Sequence, residues 1–431
     1  MNIPLLILLM VFGLWFRPEA LLAQSHPEAL PPASIPLSFE AFLAEVAQYN
    51  LEYAAQRYNV SIAQAQVARA MVFPNPTVGA GTFRDISGQQ MPSSLSLSVS
   101  QTFLTAGKRP AGIEVAIKNY QVAGATLEDF FRNLRAAAAN AYVDALAAQL
   151  ILEQKQRSAA SLDRLAEANE KRFQAADLAE IDVIQSRVEA LQFQSETLAA
   201  KSTLQTAVIA LSQFLGTQRS SMTIAPQGRL DVPAKPFVLS ELVELAVQKR
   251  ADVVSARQAL ESSRLGVKLA KANRIPNVDI GFGWPRNFAS TNETAPSPPF
   301  DLLGLSVSVP IPVFNTLRAE LDMARFASEQ AEKNWQSARL KAEVEVRQAY
   351  ARYQLAVARM AKYKEEALRD FAAVLEAKLY SYQRGHSSLL EVLNAQRGEN
   401  NIYLAYYDTL TEYAKALVAL EQATGIWDLT F

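Results

Sequence analysis

The chain has 431 residues, with 42 Lys plus Arg against 43 Asp plus Glu and a formal net charge of -1. So balanced a charge lacks the broad positive field that non-specific nucleic-acid binding requires, and nucleic acid is not an expected partner. Cysteine is absent, which excludes disulfides, thiolate metal sites, a cysteine nucleophile and a lipid-bearing N-terminal cysteine; the two histidines, His26 and His386, lack the spacing of a metal site or a catalytic triad.

In chain order, residues 1–23 read as an export signal. An apolar run at 3–16 is shorter than the roughly 20 residues of a spanning helix, and small residues follow at Ala20 and Ala23, although no Lys or Arg precedes the run. After an N-terminal segment at 24–36, residues 37–72 are expected to give shorter helices. Strands are expected at about 76–84 and 94–103, joined by a polar loop. Proline placement sets the rest: all twenty prolines lie at or before Pro110 or between Pro226 and Pro312, so 111–224 and 313–431 are helical tracts. Within the first tract Leu127, Phe131, Leu134, Ala138, Ala141, Ala145, Ala148 and Leu152 recur at steps of four and three, the seam of a helix packed along its length on a neighbour. A helix over 111–173 is roughly 95 Å long at 1.5 Å per residue, enough to span a compartment. A linker at 217–238 leads to a second series: helices over 239–274, strands at about 277–284 and 302–310, long helices to 425, and a C-terminal segment at 426–431. No other segment is apolar for long enough to cross a bilayer as a helix, so any membrane entry is expected as strands.

The second series repeats the first. LSLSVSQTFLTAGKRPAGIEVA at 95–116 aligns without a gap on LGLSVSVPIPVFNTLRAELDMA at 303–324, placing Leu95 on Leu303, Val99 on Val307 and Ala116 on Ala324. FPNPTVGAG from Phe73 aligns with IPNVDIGFG from Ile275, RFQAADLAEIDV at 172–183 with SYQRGHSSLLEV at 381–392, and ALSQFLG ending at Gly216 with ALEQATG ending at Gly425. The reading is therefore a tandem structural repeat, 37–216 and 239–425.

The strands alternate greasy residues with small or polar ones, as in LSLSVS from Leu95 and LGLSVSV from Leu303. In a membrane β-barrel the greasy face meets lipid and the other lines the lumen, which assigns Leu97, Val99, Leu305 and Val307 to lipid. Phe73, Phe83, Phe103, Trp284, Phe300 and Phe314 cluster near strand ends, where an aromatic girdle sits. Gly79 and Gly81, like Gly281 and Gly283, fall inside strands and are not nucleotide loops. Four strands per chain cannot close a barrel; two chains give eight strands with a filled interior, and three give twelve with room for an aqueous passage, so a trimer is expected of a duct.

The duplication, the strand-to-helix junctions and the two tip motifs resemble the TolC-like outer-membrane factors of Gram-negative export systems, over nearly the whole chain. QTFLTAGKR at 101–109 with PIPVFN at 310–315 looks more like the CzcC branch that serves heavy-metal efflux. The resemblance implies a mainly α protein with a membrane β-barrel: a homotrimer whose 12-stranded barrel continues into a periplasmic α-helical tunnel. It implies a passive duct in contact with outer-membrane lipid, with no catalysis and no cofactor, fed by an inner-membrane pump of the RND type through a periplasmic adaptor (membrane fusion protein). A component of type I protein secretion, a structural periplasmic coiled coil and an exported enzyme are the alternatives. The coiled coil leaves the alternating strands unexplained, and the enzyme lacks a nucleophile, base and orienter.

By the same resemblance an aspartate of the first tip and a tyrosine and arginine of the second hold the tunnel closed. The first two match Asp182 and Tyr382; the arginine position holds Ser387, with Arg384 as the substitute. Two acidic pore positions match Glu391 and Asn394, so one ring of three carboxylates is expected, with raised proton affinity and attraction for multivalent cations. Ala176, Asp177, Leu178, Gly385, His386 and Ser387 are the expected adaptor-docking tips. The glycine of the first tip turn is Ala176, where a left-handed backbone is strained, so that turn is expected to be built differently from the second. Lys108 and Arg109, at a strand-to-helix junction, read as interfacial snorkelling cations.

Overall fold

The computed structural model describes residues 35–86, 92–216, 224–290, 292–363 and 365–428. The expected export signal and the first part of the linker lie outside them. In chain order the elements are β1 (Ile35–Ser38), α1 (Phe39–Tyr49), α2 (Leu51–Met71), β2 (Thr77–Phe83), β3 (Ser94–Phe103), α3 (Lys108–Gln174), α4 (Glu180–Phe214) and β4 (Ile224–Gln227). Then come α5 (Leu239–Lys249), α6 (Ala251–Asn273), β5 (Val278–Asn287), β6 (Phe300–Asp301), β7 (Gly304–Ser308), α7 (Arg318–Met360), α8 (Glu365–Gln383) and α9 (Leu389–Thr424).

The unbroken α3 has 67 residues, roughly 100 Å at 1.5 Å per residue. Its expected seam is the packed face: Leu134, Ala138, Ala145, Ala148 and Leu152 are buried, against α4, α6, α9 and α2. The second tract differs from expectation, because α7 ends at Met360 and α8 begins at Glu365 without a proline or glycine between them. No described helix is long and apolar enough to cross a membrane.

An apolar core girdles the middle of the bundle, where α1, α3, α7, α9 and the ends of the shorter helices meet. Here the linker is more ordered than expected: β4 pairs in parallel with β1, Ile35 opposite Ile224. Tyr142 of α3 pins this ribbon, its hydroxyl 2.6 Å from the Leu37 carbonyl and 2.7 Å from that of Gln227 while it accepts from the Gln227 N–H at 2.9 Å. Burial pushes its phenol up to about 12. Across the core Tyr353 of α7 does the same for the linker, donating to the Lys235 carbonyl at 2.9 Å and accepting from the Lys235 N–H at 3.0 Å.

The joints between short helices show how the chain turns. Asn50 caps α2 through the Tyr53 N–H at 2.9 Å and donates to the Phe214 carbonyl, at the end of α4, at 3.2 Å. Arg250 stands at the corresponding joint between α5 and α6 and donates to the Ala423 carbonyl, near the end of α9, at 3.1 Å. Its fully buried guanidinium is matched by Asp252 and Glu345, each at 2.7 Å, as a buried charge must be.

The strands form one antiparallel sheet in the order β2, β3, β5, with β6 and β7 both along the far side of β5. β5 runs to Asn287, three residues past the expected end, and the expected fourth strand is two pieces ending at Ser308. The register puts Val78, Val99, Phe282 and Leu305 in one cross-strand row and Gly79, Ser98, Gly283 and Gly304 in the next. The two faces are therefore distinct. The apolar face is bare in the isolated chain: Leu97, Val99, Leu305 and Val307 are 44%, 48%, 67% and 63% exposed. On the other face the strands are closely packed on small residues: a Cβ on Gly281 would lie 2.5 Å from Ser306 Oγ and one on Gly79 2.8 Å from Ser98 Oγ, so either serine would have to turn aside.

The junction of sheet and helices is tied by side chains. Thr102 bonds Asp279, Thr105 donates to the Pro276 carbonyl at 2.6 Å, and Lys108 donates to Asn277 Oδ1 at 2.5 Å. Arg109 clamps the Met71 carbonyl at 2.7 Å and lies 4.1 Å above the Phe73 ring. Lys108 and Arg109, read from the sequence as interfacial cations, therefore also tie the junction together.

Candidate functional site: the paired helical tips

The hairpins α3–α4 and α8–α9 end together in a second apolar cluster of Leu162, Leu165, Phe193, Tyr382, Val392 and their neighbours. Their turns share one backbone pattern. Ala176 N–H bonds the Phe173 carbonyl at 2.8 Å and Asp177 N–H that of Arg172 at 2.9 Å; Gly385 N–H bonds the Tyr382 carbonyl at 3.0 Å and His386 N–H that of Ser381 at 2.9 Å. Each is a Schellman turn, whose residue after the cap is left-handed. Gly385 takes that conformation at φ 77° and Ala176 at φ 57°. The expectation of a different first turn is therefore corrected: Ala176 accepts a backbone that costs a residue with a Cβ about 1–2 kcal/mol. An ion pair across the turn, Arg172 Nε to Asp177 Oδ2 at 3.0 Å, helps to hold it. In the second turn Ser387 Oγ donates to Ser381 Oγ at 2.8 Å. Leu178 folds onto the tip cluster, whereas Asp177 and His386 face solvent.

Tyr382 is 5% exposed, and its hydroxyl donates to Oδ1 of the fully buried Asn169 at 3.0 Å. The Arg172 guanidinium lies 5.4 Å from its ring centroid. Burial raises the phenol above its ordinary value, and the negative charge of Asp182 adds to the rise. The structure thus brings Asp182 to Tyr382 through charge while the hydroxyl goes to Asn169, and the arginine at the ring comes from the first tip. Arg384 lies over the Tyr380 ring at 4.2 Å instead. Glu391 is exposed and paired with Lys378 at 2.6 Å, and in the single chain that pairing holds its carboxyl below the usual range. Asn394 is exposed, three residues further along α9.

Asn169, Arg172 and Lys378 were missed because their partners are remote or on another helix. Asn169 carries a signal all the same: the α3 seam continues through Leu162 and Ala166 at the same spacing, so a polar residue at 169 falls on a buried position.

The profile of the family described as outer membrane efflux protein matches residues 43–217 and again residues 242–426. The chain belongs to the outer membrane efflux protein family. Members are ducts rather than enzymes and work with an adaptor and an inner-membrane pump; this chain is the outer-membrane exit duct of such a tripartite system, with its helical tunnel in the periplasm. Among its relatives, the cobalt-zinc-cadmium resistance protein CzcC of Cupriavidus metallidurans is 23% identical, covering 91% of each chain. The pyoverdine export outer membrane protein OpmQ of Pseudomonas putida is 22% identical, covering 95% of this chain and 91% of that one. The fold matches the solved channel CusC with a TM-score of 0.73 at 18% identity, over 93% of this chain and 99% of that one.

The strained turn gives a direct check. Ala176→Gly should stabilise the first tip by about 0.5–1 kcal/mol, relief of strain offset in part by glycine's greater unfolded-state freedom. Gly385→Ala, with nothing within 4 Å of the added Cβ, should cost about 0.5–1 kcal/mol, the left-handed strain offset in part by alanine's smaller unfolded-state freedom. Amide hydrogen exchange at the tips should slow in the first variant and quicken in the second; the reverse order would refute the left-handed assignment at Ala176.

Proposed function

We propose that the chain is two copies of one unit, 37–216 and 239–425, and that three chains pool four strands each into a 12-stranded outer-membrane barrel continued by a periplasmic tunnel. The carrying observation is the sheet: one face is bare and apolar, and the outer edges of β2 and β7 pair with nothing among the described residues. The double match of the family profile and the matched joints at Asn50 and Arg250 support the repeat. Leu97, Val99, Leu305 and Val307 face lipid in this reading. A charged residue at Leu97 or Leu305 should cost about 2–4 kcal/mol near the midplane and deplete folded protein in outer-membrane fractions, while the same change at Ser98 should be mild. Equal tolerance of both faces would overturn the register.

The tips close the tunnel and meet the adaptor. Asp182 and Tyr382 belong to the closure, and Glu391, one turn before Asn394, lines its mouth, with each carboxylate offset by its own Lys378. Block of single channels by a trivalent cation should therefore strengthen in Lys378→Gln and weaken in Glu391→Ala. Since the Glu391 carboxyl sits below the usual range, the pairing holds at neutral pH and fails only as pH falls through that lowered value. Block unchanged in both variants would remove Glu391 from the lumen.

Ala176, Asp177, Leu178, Gly385, His386 and Ser387 form the adaptor-docking surface, and the pump behind the adaptor is of the RND type. Photocrosslinkers at Asp177 and Ser387 should capture the adaptor, whereas capture only from Gln218 or Arg219 would indicate side-on contact. The cargo is small molecules or metal cations. Metal is favoured by similarity to CzcC and to the nickel-cobalt-cadmium resistance protein NccC, 28% identical over 64% of this chain, while OpmQ keeps small organic molecules in range.

A further inference from the structure

We propose that Arg397 of α9 and Glu189 of α4 form the lock that joins the two hairpins of a chain above the tips, in place of the arginine that Ser387 replaces. The inference rests on the closed-tip reading and assigns its residues. Glu189 is a carboxylate with a 5% exposed side chain, and Arg397 grips it with two parallel bonds, Nε to Oε1 at 2.7 Å and Nη2 to Oε2. A bidentate guanidinium and carboxylate pair fixes orientation as well as distance.

Its position is what singles it out. The neighbouring ion pairs Lys378–Glu391, Arg172–Asp177, Arg187–Glu170 and Lys155–Glu196 each lie within one hairpin, so they stiffen the hairpins without joining them. Arg397–Glu189 crosses from one hairpin to the other, as the Tyr382–Asn169 bond does nearer the tip.

The seam near the lock is mixed in character. Beside the apolar tip cluster, Asn169 of α3 and Gln396 and Asn400 of α9 are buried, and Asn400 Oδ1 and Asn169 Nδ2 have no protein partner. Water restores the bonds of such groups when the hairpins separate, whereas parting an apolar seam of equal area returns nothing.

The test uses full-length trimers in planar bilayers. Glu189→Gln and Arg397→Gln should each raise resting conductance, by about tenfold in the ratio of open to closed channel. The double exchange Glu189→Arg with Arg397→Glu should return it towards wild type, which a loss of packing alone would not do. Arg187→Gln, which breaks an exposed pair within one hairpin, should leave it unchanged. If either Gln variant fails to assemble, Arg397→Lys keeps the charge, loses the bidentate grip and should show an intermediate rise. Wild-type channels that conduct normally and are matched by both Gln variants would overturn the lock and leave the duct standing. No conductance from inserted wild-type trimers would overturn the closed-duct reading and the lock with it.

Discussion

An unpaired peptide group facing hydrocarbon costs several kcal/mol, and among the described residues the outer edges of β2 and β7 pair with no other strand. Most of the architecture follows from that constraint. A four-stranded sheet with one bare apolar face has no place in water and none alone in lipid, which is the ground for proposing that strands of other copies meet its edges. On that proposal the long helices share the requirement, because a sheet shared among chains would fix where each chain's helices emerge. The junction carries correspondingly specific ties, from Thr105 to Pro276, Lys108 to Asn277 and Arg109 to Met71, which couple strand to helix without relying on an apolar core.

The two ends of the bundle obey different rules. The middle is a close-packed apolar girdle in which Tyr142 and Tyr353 satisfy the backbone of the ribbon and the linker, so this region is expected to stay fixed. Towards the tips the apolar cluster is interspersed with buried polar residues, Asn169, Gln396 and Asn400. Rigidity at the girdle and a partly polar joint at the tips suit a duct that opens at one end only.

Much of this was legible in the sequence. Periodicity marked the α3 seam, proline punctuation bounded the helical tracts, and alternation identified the two faces of the strands. The features that escaped depend on three-dimensional juxtaposition: β1 and β4 are four residues each and 189 positions apart, too short to stand out from their surroundings. The first tip turn was misjudged for a different reason. A strained left-handed alanine is unfavourable locally, and the hydrogen bonds of the turn, with the Arg172–Asp177 pair, outweigh that preference. At the tips, the pairing of Tyr382 with Asn169 rather than Asp182 is a matter of helix rotation that residue spacing alone does not resolve.

The central claim is that one chain cannot satisfy its own sheet and that three together can. Native mass spectrometry of the assembly extracted from outer membranes in mild detergent measures the copy number directly. The account predicts three chains, with no lower species until the detergent or temperature disrupts the barrel; a stable, membrane-extracted monomer or dimer would contradict it.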